Sequence, residues 1–160
     1  MNNLILAIIL SFLPISEVRG GMPVVVHYAL SNGFSFPLIV ALGLLVILVN
    51  ILGVLFAFFF LDFIHEKLMR IKIYRKTFDY YMERVRKKAD KMEGKMGSYG
   101  FLALALFVAI PLPVTGGWSG ALIAWYLGLD RKKSILAISL GVFAAGLIMF
   151  LFSLGLFSLF

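Results

Sequence analysis

Glu17 and Arg19 are the only charged residues in any apolar segment of this 160-residue chain. A charge at the centre of a bilayer costs about 2.5–3.5 kcal/mol on insertion scales, so such residues mark a pathway or a partner. Arg19 suits binding of an anionic group, and Glu17 suits carrying a proton or orienting Arg19. The same two residues also read as a structural ion pair that fastens the local turn. They lie in FLPISEVRGGMP (12–23), a short apolar run ending at a proline, then a polar tip with Gly20 and Gly21, then a second apolar run. The pattern returns in AIPLPVTGGWSG (109–120), whose tip carries Thr115, Gly116, Gly117, Trp118 and Ser119 but no charge. Thr115 and Ser119 can hydrogen-bond, and Trp118 offers an amphipathic wall. A site built from both tips is charged on one side and aromatic and hydroxylic on the other. That suits an amphiphilic substrate better than a bare ion.

The elements that hold these tips follow from composition. The chain is 62% hydrophobic with a mean hydropathy of +1.01, whereas soluble domains run at about 45–50% apolar residues. The expectation is an all-α integral membrane protein with a single membrane domain. Cysteine is absent, which rules out disulfides and thiolate metal sites. Residues 1–3 carry no basic group and no small-residue cleavage site closes the apolar run before Pro14, so the N-terminal segment is not read as a leader. Two stretches, 36–61 and 134–160, are long enough to cross a bilayer with some tilt. The remaining apolar runs (4–13, 22–30, 101–110 and 121–129) suit half-membrane segments.

The simplest assembly is two units, each a re-entrant helical hairpin followed by one transmembrane helix (1–61 and 99–160), joined by a basic amphipathic cytoplasmic helix (62–98). Charge placement tests it. Of the 15 basic residues, all but Arg19 fall in 67–95 or 131–133. If each hairpin returns to its own side, the linker and the 130–133 loop lie in the cytoplasm and both termini outside, as the positive-inside rule requires. The expected placement is multi-pass in the plasma membrane. Pro14 corresponds to Pro111, Tyr28 to Tyr126 and Gly43 to Gly141, an offset of 97 at the prolines and 98 beyond. An odd number of crossings per unit makes the repeat inverted, as in many secondary transporters. Short runs that cross as thin spans are the alternative, and they would put one basic segment in the wrong charge context.

Non-helical backbone at membrane depth survives only where protein buries it or water reaches it, so both tips imply a cavity. The glycine pairs are expected to supply the freedom to reverse direction. Pro14, Pro23, Pro111 and Pro113 are expected to end the half-helices. The half-helices after each tip point N–H groups into the cavity, an end that favours anions. Elsewhere, His27 reads as packing, Asn50 as an interhelical hydrogen bond, and Gly43, Gly141 and Gly146 with Ala137 and Ala145 as close helix contacts. His65 reads as having no role. In the linker, Ile71, Tyr74, Phe78, Tyr81, Val85, Ala89, Met92 and Met96 recur at helical spacing opposite a basic face. Such a helix suits an anionic leaflet, a second copy in a short coiled coil, or a plain connector that sets topology. Positive-inside bias accounts for the charge without nucleic acid.

No nucleotide-binding G-x-x-x-x-G-K-[ST], no H-E-x-x-H and no serine–histidine constellation occurs, so neither an enzyme nor a cofactor or metal is expected. The partners expected are membrane lipids and the substrate, and the little area that two spans bury leaves room for a homodimer.

The segments SEVRGGMP (16–23) and IPLPVTGGWSGAL (110–122) resemble the small multidrug export protein family, prokaryotic membrane proteins grouped with the DedA-like (VTT domain) superfamily. The resemblance covers essentially the whole chain and implies two re-entrant hairpins that meet in the bilayer. DedA-like relatives are linked to moving lipid carriers such as polyprenyl phosphates, using acidic and arginine residues in the hairpins. Glu17 and Arg19 match that charged pattern. The second hairpin departs from it, with Thr115, Trp118 and Ser119 where DedA proteins carry arginines. The function expected is a transporter or lipid translocase for an amphiphile with an anionic headgroup, either coupled to protons through Glu17 or running downhill. A proton-coupled exporter of small amphiphilic drugs and a non-transporting scaffold are the alternatives.

Overall fold

Residues 2–93, 100–111 and 115–158 are described by a computed structural model, and all their regular structure is helical. Two stretches, Phe36–Ile64 and Arg131–Phe157, are long and apolar enough to cross a membrane. They contain helices α3 (Phe36–Phe59) and α8 (Arg131–Ser158). Pro37 sits in the first turn of α3, where a missing N–H removes no helical bond. The shorter helices come in pairs before each span. These are α1 (Asn2–Phe12) with α2 (Glu17–Ser31), and α6 (Gly100–Ala109) with α7 (Gly117–Tyr126).

The first pair breaks at residues 13–16, where Pro14 lies, and the second between Ala109 and Gly117, where Pro111 lies. Pro113 falls outside the described residues. Two sequence expectations fail at the first break. Pro23 does not end a helix but sits within α2. An interior proline removes one helical bond and costs about 3 kcal/mol, but α2 buries Met22, Val25, Val26 and Ala29 among its neighbours, and that packing carries the helix through. Gly20 and Gly21 do not reverse the chain either. A Cβ on Gly21 would lie 2.7 Å from the Ala7 carbonyl oxygen, and one on Gly20 would lie 2.7 Å from Ser16 Cβ. The pair instead lets α1 lie close against α2.

Packing joins the two halves crosswise. α2 packs on α3 and α8, while α7 packs on α8 and α3; α1 packs on α3 as α6 packs on α8. Exchanging the first three helices for α6, α7 and α8 thus maps each pairing onto another. α2 and α7 also end alike, on Gly33 (φ 67°) and Gly128 (φ 61°). In both turns the next N–H reaches back five residues, Phe34 to Ala29 and Leu129 to Ala124. This left-handed exit favours glycine. Small residues of α8 lie at close helix contacts, as the sequence leads one to expect. Ala137 and Ala145 are buried, a Cβ on Gly141 would meet the Ala105 carbonyl oxygen of α6 at 2.6 Å, and Gly146 faces Ile47 of α3.

Beyond α3 the chain makes a π-helical turn (Phe60–Ile64) and a short α4 (His65–Leu68), then bends at residues 69–71 into α5 (Lys72–Glu93). The linker therefore turns only after Leu68. Within α5 the inward row is Tyr74, Phe78 and Met82, with Met82 buried, while Ile71, ahead of the helix, is 51% exposed. Residues four apart share one helix face, and the bend at 69–71 leaves Ile71 out of that row. The side chains of Tyr81, Val85, Ala89 and Met92, and all of Met96, lie outside the described residues. Arg131 pairs with Asp62, and Arg86 lies over the Tyr126 ring at 5.3 Å. The linker and the 130–133 loop therefore share one end of the molecule.

Gly141→Leu should lower stability by about 1–3 kcal/mol, because overfilling a packed contact forces backbone shifts. Gly155→Leu should change it little, since open space lies beside that residue. Thermal unfolding of both variants in detergent measures the difference.

Candidate functional site

Breaking a helix strands its last carbonyls and its first N–H groups, which need partners from elsewhere. In this fold each broken hairpin supplies them to the other. Glu17 begins α2 and is 3% exposed. Its carboxylate crosses to the start of α7, where Oε2 accepts the Gly117 N–H at 3.0 Å and Oε1 accepts the Trp118 N–H at 3.1 Å. A carboxylate there also meets the positive end of the helix dipole. Trp118 answers in the opposite direction. Its indole N–H donates to the carbonyl of Phe12, the last residue of α1, at 3.2 Å. Its ring stands edge-on to Phe12 and Phe56, with centroids 6.5 and 6.2 Å away.

The surrounding residues tighten this clasp. Asn50, in the middle of α3, donates from Nδ2 to the Ser11 carbonyl at 2.8 Å, the interhelical bond expected of it. The Thr115 hydroxyl donates to the Ile110 carbonyl at 2.7 Å and accepts from the Arg19 guanidinium at 3.3 Å. Gly116 precedes α7 in extended conformation, and a Cβ on it would fall on the Glu17 carboxylate. Glu17 itself has φ 50°, a left-handed conformation that costs a non-glycine residue on the order of 1–3 kcal/mol. Such strain persists only where the surroundings over-determine it, and here the two bonds to α7 do so.

The structure thus brings together Glu17, Arg19, Thr115, Gly116, Gly117 and Trp118. Ser119 is buried one residue further along α7. Gly20 and Gly21 lie instead at the α1–α2 contact. The N–H groups of α7, which the sequence leaves open to a substrate anion, are held by the protein's own carboxylate. Among the described residues Glu17 and Arg19 make no direct ion pair; each reaches the opposite tip. Among those residues, too, Arg19 Nε and Asn50 Oδ1 are buried without a hydrogen-bond partner.

His27 is exposed and its ring lies tilted against that of Phe157, centroids 4.9 Å apart, in keeping with a packing role. His65 departs from expectation. It is buried, its Nδ1 lies 3.0 Å from the Tyr74 hydroxyl, and its ring lies 4.1 Å from that of Phe78. Burial pushes the Tyr74 phenol above its usual range, so it stays protonated. This fastening of α5 to the body had no periodic signal, because the bend at 69–71 alone brings residues 65 and 74 together.

Fold and site together define a small helical membrane protein whose broken hairpins lock into one another. A family model described as "Putative small multi-drug export protein" matches residues 17–148, from Glu17 into α8. The chain belongs to that family, as the two tip motifs imply, and the family's description is one of membrane export. No curated protein and no solved structure matches it.

Glu17→Ala strands two buried N–H donors and should lower stability by about 1–3 kcal/mol. Gly116→Ala should also destabilise, by displacing the carboxylate. The two losses should fall short of additivity by about 0.5–3 kcal/mol, as for residues in direct contact. Unfolding midpoints of both single variants and the double variant read this coupling; simple additivity would place the carboxylate elsewhere.

Proposed function

We propose that the chain exports amphiphilic substrates bearing an anionic headgroup across the plasma membrane, with the Glu17–α7 contact as its gate. The observation that carries this reading is the buried Glu17 carboxylate bridging the two chain breaks. Hydrogen bonds to an ionised acceptor are roughly twice as strong as neutral ones. Taking up one proton therefore weakens both bonds to α7 at once and frees the hairpins to separate. Arg19, with its Nε lacking a partner beside the clasp, is placed to take the headgroup, while the apolar part stays against lipid.

The membrane arrangement proposed is an inverted repeat of re-entrant hairpins. Crosswise packing, matching glycine exits and the 97-residue proline offset support it. The short arms support it too, since α1 has 11 residues and α6 has 10, against about 20 for a span. The end that holds the Asp62–Arg131 pair then faces the cytoplasm, since basic segments stay inside. A non-transporting scaffold is the second reading, favoured by one observation: the clasp satisfies broken helix ends as a static lock would.

In proteoliposomes with an imposed pH gradient, Glu17→Gln should cut gradient-driven transport at least about tenfold, the effect of ~1.4 kcal/mol on a barrier. Arg19→Ala should abolish transport of anionic amphiphiles. Transport that survives Arg19→Ala but not Glu17→Gln would indicate a cation exporter, and a folded protein that moves nothing would leave the scaffold. The chain lacks cysteine, so single Lys132→Cys and Asn32→Cys variants report topology directly. An impermeant maleimide should label the first only from the cytoplasmic face and the second only from outside.

A further inference from the structure

A cavity of about 260 Å³ opens between the end of α3, the first turns of α5 and the start of α7. Phe60, Tyr74, Phe78 and Trp118 present aromatic walls, and Leu61 and Leu122 complete the lining around them. Its polar groups are almost all committed. The Tyr74 hydroxyl lies against His65, and the Trp118 indole N–H is given to Phe12. Thr77 at the mouth adds one hydroxyl, whose proton goes to the Ile73 carbonyl. Drug-sized ligands occupy roughly 300–1,000 Å³, so this space suits one hydrocarbon segment or ring and not a whole polar molecule.

The chain beside it carries the opposite chemistry. Lys67, Arg70, Lys72, Arg75 and Lys76 are exposed between α4 and the first turns of α5, Arg75 next to the cavity face of the helix and Lys72 and Lys76 on its far side. The acidic groups nearby do not cancel them: Asp62 is paired with Arg131, and Asp79 lies on the exposed side of α5. An apolar slot beside a basic segment is complementary to a molecule with an apolar body and a negative head. The π-helical turn at Phe60–Ile64 shapes the slot, as such insertions often do where helices serve function.

We propose that this cavity is a docking site for an anionic amphiphile of the inner leaflet. Its hydrocarbon portion lies in the slot as far as Trp118, and its head lies in the positive field of the basic residues between 67 and 76. The proposal deepens the transport reading and rests on it for the meaning of the site. Trp118, at the inner end, is the residue whose main-chain N–H the Glu17 carboxylate holds, so a docked molecule ends against the gate.

Trp118 is one of 2 tryptophans, and Trp125→Phe leaves it as the sole reporter. In non-ionic detergent, a dibrominated long-chain fatty acid should quench its fluorescence saturably, whereas the uncharged methyl ester should quench only as it partitions into the micelle. Thr77→Phe, which fills the mouth, should abolish the saturable part. Changing Lys72, Arg75 and Lys76 to Gln should raise the half-quenching concentration by about tenfold or more, as expected for lost surface cations. In nanodiscs, brominated-chain phosphatidylglycerol set against phosphatidylcholine shows whether a leaflet lipid fills the site or only a free amphiphile. Equal quenching by acid and ester overturns the proposal, and so does quenching indifferent to Thr77→Phe. Should a variant fail to fold, the acid–ester comparison on the unsubstituted chain still decides. Binding is read here without transport: acid-specific quenching alongside Glu17-independent transport would sink the gate and keep the site.

Discussion

A broken helix leaves N–H and carbonyl groups without helical partners, and the bonds at the centre of this molecule answer that constraint. Glu17 receives two N–H groups of α7, Trp118 covers a carbonyl of α1, Asn50 covers the carbonyl beside it, and Thr115 closes the end of α6. Each hairpin finishes part of its own break, as Thr115 does at Ile110, and takes the rest from the other. The two are therefore stable together in a way that neither would be alone.

That mutual dependence explains features that look unrelated. The left-handed backbone of Glu17 aims its carboxylate at α7, and the missing side chain of Gly116 leaves the space for it. Small residues along α2, α3 and α8 bring neighbouring helices near enough for a side chain as short as Asn50 to join α3 to the end of α1. The same arrangement confines the ionisable chemistry to one tip: a carboxylate already neutralises the donor end of α7, so a second acidic group there would have nothing to bind. The clasp links the two hairpins directly through hydrogen bonds to a carboxylate.

Much of the architecture is legible in the residues. The two spans follow from length and hydropathy. The breaks at Pro14 and Pro111 follow from prolines beside polar tips, and the common end of the basic segments follows from charge. The misreadings share a cause. Gly20, Gly21 and Pro23 are strong local breakers, but they lie where α2 is packed along its length, and burial outweighs a local propensity of a few kcal/mol. His65 carried no periodic signal because its partner Tyr74 arrives through a bend in the chain. The Glu17–Gly117 contact joins residues a hundred positions apart, and nothing in spacing announces such a pair.

The sequence by itself determined which residues could do chemistry, which segments are apolar enough to cross a bilayer, and that a proline- and glycine-bearing tip occurs twice with a charge in only one of them. These are properties of composition and local order, and they survive whatever the chain packs against. The tertiary structure alone decided where the charges point. Glu17 and Arg19, two positions apart, both reach the opposite tip: the carboxylate meets the N–H groups that the start of α7 leaves without helical partners, and the guanidinium meets the Thr115 hydroxyl.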